Sequence, residues 1–577
     1  MKKQLALVMA TLLTLGTIGM SACGGLKRED GGIVLDDSKS LLNIGVFNAG
    51  YGVRWAEEAV KDFEEFYKDT EFEPGKKGVQ VQIDARKDEF KPVTLKATIT
   101  SNKNTLYFLN EFSDLDSFYA SGLVADMTDV LNEKVYDEDG SLAAKSGGTA
   151  TKSMYDIMYD EFKGKDGKDG YFEKSGKAYA APWSFDCAGM IYDADLFDEK
   201  GYYFDADGNI GCKQEDIDNG DCGPGPDQQM GTPDDGMPET WNDFVTLMDH
   251  MQNGGDNVTP FIWAGKTFYQ QLRAYESVWA NYEGYDDYML NFTLEGTDSQ
   301  LGEITPATSG KLSEQEGVKA AIKMAYDIIK GGYYNLQSPT LDFKDAQTRY
   351  ISSVNETKQI AMFMENGYWE IEAIDTFNLM DMGAGTGFGE RNFKRFPIPN
   401  FIGVEGITDQ TEDAIREPEV LIGHSAYKNV ALLASQCSCD NDYAVNLKLA
   451  KLFLQFVHSR EMLAQFTANT GACIASYHFE PTPEEKATFT KFGQNIFDYM
   501  QNGSKMAIDV PLHEFRRTNV EEYAERGYFY VNATINGSNQ KHVHPWSIFE
   551  ANPQMSVDEC WSYMQTSYKE LATKYVG

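Results

Sequence analysis

The sequence predicts an α/β fold with a largely parallel sheet, because apolar strand-like segments alternate with amphipathic helical segments. Residues 41–47 read as a buried strand, and residues 79–83 alternate apolar and polar side chains as a second strand does. A helical pattern lies between them, and its apolar positions are Trp55, Ala59, Phe63 and Phe66. A third strand is predicted at residues 105–109. Strand, helix and strand in succession favour parallel pairing.

Later elements continue the alternation. A Gly-, Lys- and Asp-rich turn at 163–177 precedes Pro182, and a strand-like apolar run begins at Ala188. Thr240 is a good N-cap for a helix that starts in 239–248. Residues 442–468 hold the longest helical pattern. The chain has 577 residues, which is too long for one hydrophobic core, so we expect at least two domains.

The charge balance excludes some partners. The formal net charge is −38, and a surface of that sign repels nucleic acid and anionic lipid headgroups. Solubility outside the cell would also explain the acidity. Aromatic residues make up 13% of the chain. Most of them belong in the core, although Tyr and Trp faces are also what sugar-binding clefts use to stack on pyranose rings.

The N-terminus predicts export. Lys2 and Lys3 precede a short apolar run, and small residues follow it around Cys23, as in a cleaved signal peptide over 1–22. The sequence before Cys23 resembles the lipobox of bacterial lipoproteins, which implies lipidation at Cys23 by acyl chains such as palmitate. Two acyl chains would anchor the protein to the outer face of the cell membrane through a tether at 23–40. An ordinary secretory signal with an incidental cysteine is the alternative.

Several segments together resemble the family 1 extracellular solute-binding proteins that deliver sugars to ABC importers. No single motif is decisive, but their order and spacing run through most of the mature chain. The insertion at 205–236 and the long C-terminal region depart from the family pattern. The matching segments are 44–47 with the helix around Trp55, 179–193 with 196–201, 238–244, 259–263, 361–370 and 470–475.

The resemblance implies a two-lobed periplasmic-binding-protein-like fold with hinge strands and a central ligand cleft. Lobe 1 would comprise 41–182 and 393–470, and lobe 2 would comprise 183–392 and 471–577. The chain would cross between lobes near 180–188, 390–397 and 469–475. It implies a monomer that binds a carbohydrate, most naturally an oligosaccharide, and presents it to the transmembrane subunits of an ABC permease.

Candidate ligand-binding residues follow from that resemblance and from side-chain chemistry. Tyr51 lies on the turn after the first strand, where α/β clefts open. Trp183 and Trp369 offer flat faces for stacking, and Asn366 can both donate to and accept from hydroxyls. For each tryptophan, a place in the core is the alternative. The full predicted set is Tyr51, Trp183, Trp263, Glu365, Asn366 and Trp369.

The insertion at 205–236 predicts a structural Ca²⁺ site. Carboxylates at close spacing in a Gly- and Pro-bent loop supply the hard oxygens that Ca²⁺ needs, and mutual repulsion would otherwise oppose their packing. A solvated acidic loop is the alternative. The predicted ligands are Asp205, Asp207, Asn209, Asp216, Asp218 and Asp221.

The sequence shows no motif of a catalytic site, so we expect a binding protein rather than an enzyme, without a catalytic cofactor. A surface-anchored glycoside hydrolase or lyase remains a competing hypothesis, because its paired carboxylates would be recognisable only in space. An oligopeptide receptor of similar layout is the third hypothesis.

Cys212 and Cys222 lie in one irregular segment and could form a disulfide, whereas Cys437 and Cys439 read as structural.

Overall fold

The computed structural model describes residues 35–48, 50–165, 167–267, 269–380, 387–439, 442–471, 473–510, 531–535 and 538–576. The signal peptide and Cys23 lie outside these residues. No helix within the described ranges is long and apolar enough to span a bilayer.

Two mixed sheets organise the described chain. Their strands are β1 Ser40–Phe47, β2 Val79–Arg86, β3 Leu106–Leu109, β4 Ala181–Pro182, β5 Ser184–Asp193, β6 Thr259–Ile262, β7 Ile360–Glu365, β8 Phe393–Arg395, β9 Leu421–His424, β10 Val430–Leu433, β11 Cys473–Ala475 and β12 Met506–Ile508. The remaining strands form two-stranded sheets: Glu71–Glu73 with Lys76–Lys77, Lys134–Tyr136 with Lys152–Ser153, Glu173–Lys174 with Lys177–Ala178, Tyr203–Phe204 with Ile210–Cys212, Gly296–Asp298 with Gly302–Ile304, and Val531–Ile535 with Ser538–Val543.

Helices surround the two sheets. The α-helices are Arg54–Phe66, Pro92–Ser101, Leu115–Ala120, Thr128–Asn132, Ala143–Ser146, Met154–Ile157, Ala194–Lys200, Gln214–Asn219, Trp241–Asn253, Tyr269–Glu283, Tyr285–Thr293, Glu316–Gly331, Phe343–Ser353, Trp369–Glu372, Ile374–Met380, Tyr443–Val457, Arg460–Thr470, Pro483–Lys486, Lys491–Gln501, Pro545–Ala551 and Val557–Val576. Short 3₁₀ helices cover Asp88–Phe90, Asp160–Phe162, Pro306–Glu314, Ser338–Thr340 and Ala414–Arg416.

The first lobe is built on a five-stranded sheet in the order β4-β10-β3-β1-β2. β1 pairs in parallel with β2 and β3, as the strand–helix–strand pattern predicts, while β10 pairs antiparallel with β3 and β4. The helix Arg54–Phe66 covers this sheet through its buried apolar face, which includes Trp55 and Phe63. The sheet is thus mixed rather than largely parallel, because distant segments of the chain return to complete it.

The second lobe is built on a seven-stranded sheet with the path β6-β7-β5-β9-β12. The long strand β5 is its centre, since β7, β8, β9 and β11 all pair antiparallel with it along different parts of its length. β6 pairs in parallel with β7, and β12 with β9. The prediction of a largely parallel sheet is therefore wrong for this lobe as well.

The strand pairing fixes where the chain passes between lobes. β4 ends at Pro182 in the first sheet and β5 begins at Ser184 in the second, inside the interval predicted for the first passage. The second passage lies between β9 and β10, at residues 425–429, and not at 390–397. The reason is that β8 and β9, assigned to lobe 1 from the sequence, pair with β5. The third passage follows the helix Arg460–Thr470 and leads into β11.

Local capping signals act as the sequence indicates. The Thr240 hydroxyl accepts from the Asp243 backbone N–H, and the Asp243 carboxylate accepts from the Thr240 N–H, which makes a capping box for Trp241–Asn253. The predicted helix over 442–468 is two helices, because the first ends at Val457 and Ser459 precedes the second. Among the helices of the described residues, the longest is Val557–Val576 instead.

Candidate functional site

A cavity of about 660 Å³ lies between the two lobes. Its first-lobe wall includes Phe47 at the end of β1 and Asn110 directly after β3. Parallel strands bring their carboxyl ends to one edge of a sheet, and the turns that follow β1 and β3 therefore reach the same opening. The second-lobe wall includes Asp186 on β5 and Asn366 directly after β7. Both lobes thus contribute polar side chains to one cleft.

Tyr51 and Asn110 form a linked pair on the first-lobe wall. The Asn110 amide Nδ2 donates to the Tyr51 hydroxyl, which also lies 3.2 Å from the Ser184 hydroxyl. This contact uses the amide nitrogen of Asn110 as donor. The amide oxygen of Asn110, Oδ1, is buried and has no hydrogen-bond partner among the described residues. Burial raises the pKa of Tyr51 well above its usual value, so its hydroxyl stays protonated and able to donate.

Asn366 and Tyr368 form the corresponding pair on the second-lobe wall. The Asn366 amide Nδ2 donates to the Tyr368 hydroxyl at 3.2 Å, and the Asn366 backbone N–H donates to Glu365 Oε1 at 2.9 Å. Asn366 Oδ1 again has no partner within the described part of the chain. The rings of Tyr368 and Tyr51 meet edge to face with centroids 5.7 Å apart, so the two pairs touch across the cavity.

Asp186 is the most deeply placed carboxylate on this wall. Its Oδ1 accepts from the Gly367 backbone N–H at 2.5 Å. Burial raises the pKa of Asp186 to about 7, an effect that exceeds the opposing contributions of the Gly367 N–H and the Arg273 charge. The nearby charges of Glu372 and Asp509 raise it further. Close to neutral pH, Asp186 therefore changes from a protonated carboxyl, which can donate a hydrogen bond, to a carboxylate, which only accepts.

A network of ionisable side chains extends along the same wall. Arg273 Nη1 donates to Glu276 Oε2 at 2.5 Å, and its other terminal nitrogen contacts the His424 ring. His424 Nδ1 lies 2.9 Å from Asp509 Oδ2, and Asp509 also accepts from the Ser425 N–H at 2.9 Å. The pKa of His424 is lowered to about 3, mainly by burial and secondly by the charge of Arg273, so the imidazole is neutral.

The tryptophans predicted to stack on a ligand are core residues in this structure. Trp183 is 4% exposed, donates its indole N–H to the Leu109 carbonyl at 3.0 Å and packs on Trp55. Trp369 is fully buried against Phe393 and Phe363. Trp263 is 1% exposed and stacks on Tyr334. Neither these three rings nor Glu365 line the cavity, whereas Tyr51 and Asn366 do.

Other cavity residues were not singled out from the sequence. Asn110 and Tyr368 carried a usable signal, because each closely follows a predicted or matched strand end. Arg273 and His424 did not, because each belongs to an ordinary helical or strand pattern and meets its partners only through the fold.

The predicted Ca²⁺ ligands are not gathered into one site. Asp205 is half-buried and accepts from the backbone N–H groups of Asp207 and Asn209 at 2.9 and 2.8 Å. Asp216 accepts from the Lys213 N–H at the start of Gln214–Asn219, and Asp218 accepts from Gln214 Nε2. Asp221 is exposed. These carboxylates serve turns and helix ends. Among the described residues, the acidic groups whose oxygens lie within 4.8 Å of one another are Glu283, Asp287 and Asp298.

The cysteines separate into two kinds. Cys437 and Cys439 are joined by a disulfide. Cys212 and Cys222 are both buried free thiols, and they contact each other. Burial and that contact raise the pKa of Cys222 above its ordinary value.

No protein-family model matches the chain, and no curated protein matches it. Solved structures do match the chain, and three of them follow. A probable secreted solute-binding lipoprotein from Streptomyces coelicolor has a TM-score of 0.50 at 11% identity, with 92% of this chain and 100% of that chain covered. A chitin oligosaccharide binding protein has a TM-score of 0.49 at 15% identity over 93% and 99%. The apo-form of RafE from Streptococcus pneumoniae has a TM-score of 0.48 at 12% identity over 93% and 100%.

These are similarities of backbone fold and not of sequence. At such low identity they report on the fold and not on which ligand is bound. The two-lobed α/β architecture expected from the sequence is confirmed, and the chain has the fold of a bacterial solute-binding protein.

Proposed function

We propose that this protein is a substrate-binding lipoprotein of the family 1 sugar type, which captures a carbohydrate for an ABC importer by closing its lobes around it. The observation that carries the proposal is the cavity between the lobes, to which both lobes contribute paired amide and phenol groups. Ligands that contact both walls bind the closed form better than the open form, and this difference shifts the population towards closure.

The chemistry of the two walls suits hydroxyl groups. Asn110 and Asn366 each hold an acceptor oxygen without a partner among the described residues. A buried acceptor left unpaired costs about 1–3 kcal/mol, so a ligand that donates a hydrogen bond to each oxygen recovers that cost. Sugar hydroxyls both donate and accept, and they can therefore pair with these oxygens and with Asp186 and Arg273 as well.

Stacking would fall to tyrosine or phenylalanine rather than tryptophan. The aromatic residues that line the cavity and could meet a pyranose face are tyrosines and phenylalanines: Phe47, Tyr51, Phe292, Phe343, Tyr368 and Tyr427. Trp183 and Trp369 support the walls from behind, since each packs against other aromatic core residues.

Lipidation at Cys23 would hold the protein at the extracytoplasmic face of the membrane. The lipobox-like sequence around Cys23 supports this part of the proposal. The tether would raise the effective concentration of the closed form near the permease subunits. We propose that the receptor works as a monomer, with the membrane contacted only through the lipid.

A thermal-shift screen of neutral oligosaccharides against oligopeptides tests the function. A ligand that binds only the folded state raises the melting temperature, and we expect this from one class of oligosaccharide and not from peptides. The bound ligand should then be recovered and weighed by mass spectrometry. Intact ligand supports a receptor, whereas cleaved ligand would indicate the glycoside hydrolase or lyase. A shift from peptides alone would indicate the oligopeptide receptor.

A further inference from the structure

The walls of the interlobe cleft carry more acidic than basic side chains. A cleft with charges of mainly one sign concentrates their field on whatever enters it, so this surplus acts on any charged ligand. The described lining residues include three bases and five acids, which are Lys87, Arg273 and Lys428 against Glu111, Asp186, Glu276, Glu372 and Asp509.

Arg273 is the buried base of this set, and its charge is balanced by a neighbour on its own helix. Its side chain is 5% exposed and that of Glu276 is 8% exposed. Both lie on the helix Tyr269–Glu283, where residues three apart face the same side. Arg273 Nη1 donates to Glu276 Oε2 at 2.5 Å. The guanidinium therefore brings no uncompensated positive charge to the cleft.

Two further carboxylates lie near the same guanidinium. The second terminal nitrogen of Arg273 contacts the neutral ring of His424, and the Nδ1 atom of that ring lies 2.9 Å from Asp509 Oδ2. Asp186 lies on the adjoining strand β5 and also lines the cleft. Its raised pKa has burial as the main cause, and the charge of Asp509 adds to it, as a local surplus of negative charge requires.

Arg273 retains one donor that no protein group uses. Its Nε is buried and has no hydrogen-bond partner among the described residues. A carboxylate is held best by two parallel bonds from one guanidinium, but each terminal nitrogen of Arg273 already has a protein partner. The remaining Nε–H suits a single neutral acceptor, such as a sugar hydroxyl or ring oxygen.

We infer that this cleft selects uncharged carbohydrate and rejects sugars that carry a carboxylate, and that Glu276 sets this selectivity by balancing the charge of Arg273. The inference rests on the proposed function and adds the chemical class of the sugar to it. A neutral sugar can donate hydroxyl protons to Asn110 and Asn366 and accept from Arg273. A uronic acid would bring another negative charge beside Asp186 and Glu276.

The test is calorimetric titration with matched sugars slightly above neutral pH, where the Asp186 carboxyl is ionised. The probes are neutral oligosaccharides of glucose, galactose and mannose, each paired with the same compound after oxidation of its primary hydroxyls to carboxylates. Linkage and ring configuration are the same within a pair. We expect wild type to bind the best neutral compound roughly 10-fold or more tightly than its oxidised partner, because oxidation brings like charges together.

Two variants separate charge from the loss of a hydroxyl. Glu276→Gln keeps an oxygen for Arg273 Nη1 but leaves the guanidinium charge unbalanced, so the preference for the neutral sugar should shrink several-fold. Asp186→Asn should shrink it as well, and this second variant is needed because removing one partner of a buried ion pair is costly to folding. Glu199→Gln is the control, since Glu199 is exposed beside Lys200, and it should keep the wild-type preference.

The outcomes distinguish this inference from the proposed function. Equal or tighter binding of the oxidised sugar by wild type would overturn the inference and leave a carbohydrate receptor. A preference that neither Glu276→Gln nor Asp186→Asn changes would also overturn it, because the missing hydroxyl and not charge would then explain the weaker binding. If no member of any pair binds, the inference and the proposed function fail together.

Discussion

Replacing Trp183 by alanine separates the two roles considered for this residue. In the structure the ring is enclosed by Trp55, Phe108 and Phe466, with centroids 4.9–5.5 Å away, and its N–H is bonded to the Leu109 carbonyl. Truncating a buried Trp to Ala costs about 3–5 kcal/mol of folding free energy. Domain stabilities are only about 5–15 kcal/mol, so the loss should be large and easy to measure.

The assay is urea unfolding followed by circular dichroism, together with ligand titration under conditions where the variant is folded. We expect the unfolding midpoint to fall strongly, while the folded fraction binds the ligand with nearly wild-type affinity. Trp183→Phe should recover part of the stability, since it restores aromatic packing but not the hydrogen bond. The reasoning is refuted if Trp183→Ala unfolds like wild type but loses ligand affinity, because that result is the one expected of a stacking residue.

Three further predictions concern the cleft and the cysteines. Asn110→Ala and Asn366→Ala should each weaken carbohydrate binding by about 1–3 kcal/mol, roughly 5–150-fold, as measured by titration calorimetry. Unchanged affinity would show that these amides do not contact the ligand. Asp186 has a folded pKa of about 7, above its unfolded value of about 3.9, so its contribution to stability is present at low pH and is lost as the pH rises through 4–7. Unfolding midpoints across that range should therefore decline less for Asp186→Asn than for wild type, and parallel curves would contradict the assignment. The contacting thiols of Cys212 and Cys222 should join in mild oxidant, and peptide mass mapping would detect the bond; two unmodified thiols after such treatment would speak against it.

Much of the fold could be predicted because its signals are local. The apolar run at 41–47 lies within β1, and Thr240 caps its helix as its residue type indicates. The second passage between lobes could not be found this way. β8 has only three residues, and its buried Arg395 looks like a surface residue until Glu419 is placed beside it.

The site was only partly predictable for a related reason. Tyr51 and Asn366 follow strand ends, and strand ends reach the cleft whatever the details of packing. A tryptophan near a strand end looks the same in sequence whether its ring turns towards ligand or core, and Trp183 and Trp369 turn to the core. The acidic insertion shows the same limit. Its carboxylates at 205–218 accept hydrogen bonds at turns and helix ends, and the sequence spacing that suggested a shared ion does not reveal this.

The most direct test of the central claim is calorimetric titration of the oligosaccharide that gives the largest thermal shift into wild type and into Asn110→Ala/Asn366→Ala. The double variant removes one unpartnered oxygen from each wall of the cleft. We predict saturable one-to-one binding to wild type, recovery of intact ligand, and loss of most affinity in a variant that is still folded at the temperature of the titration. Equal binding by the two proteins would place the carbohydrate site elsewhere, and failure of any oligosaccharide to bind would contradict the proposed function itself.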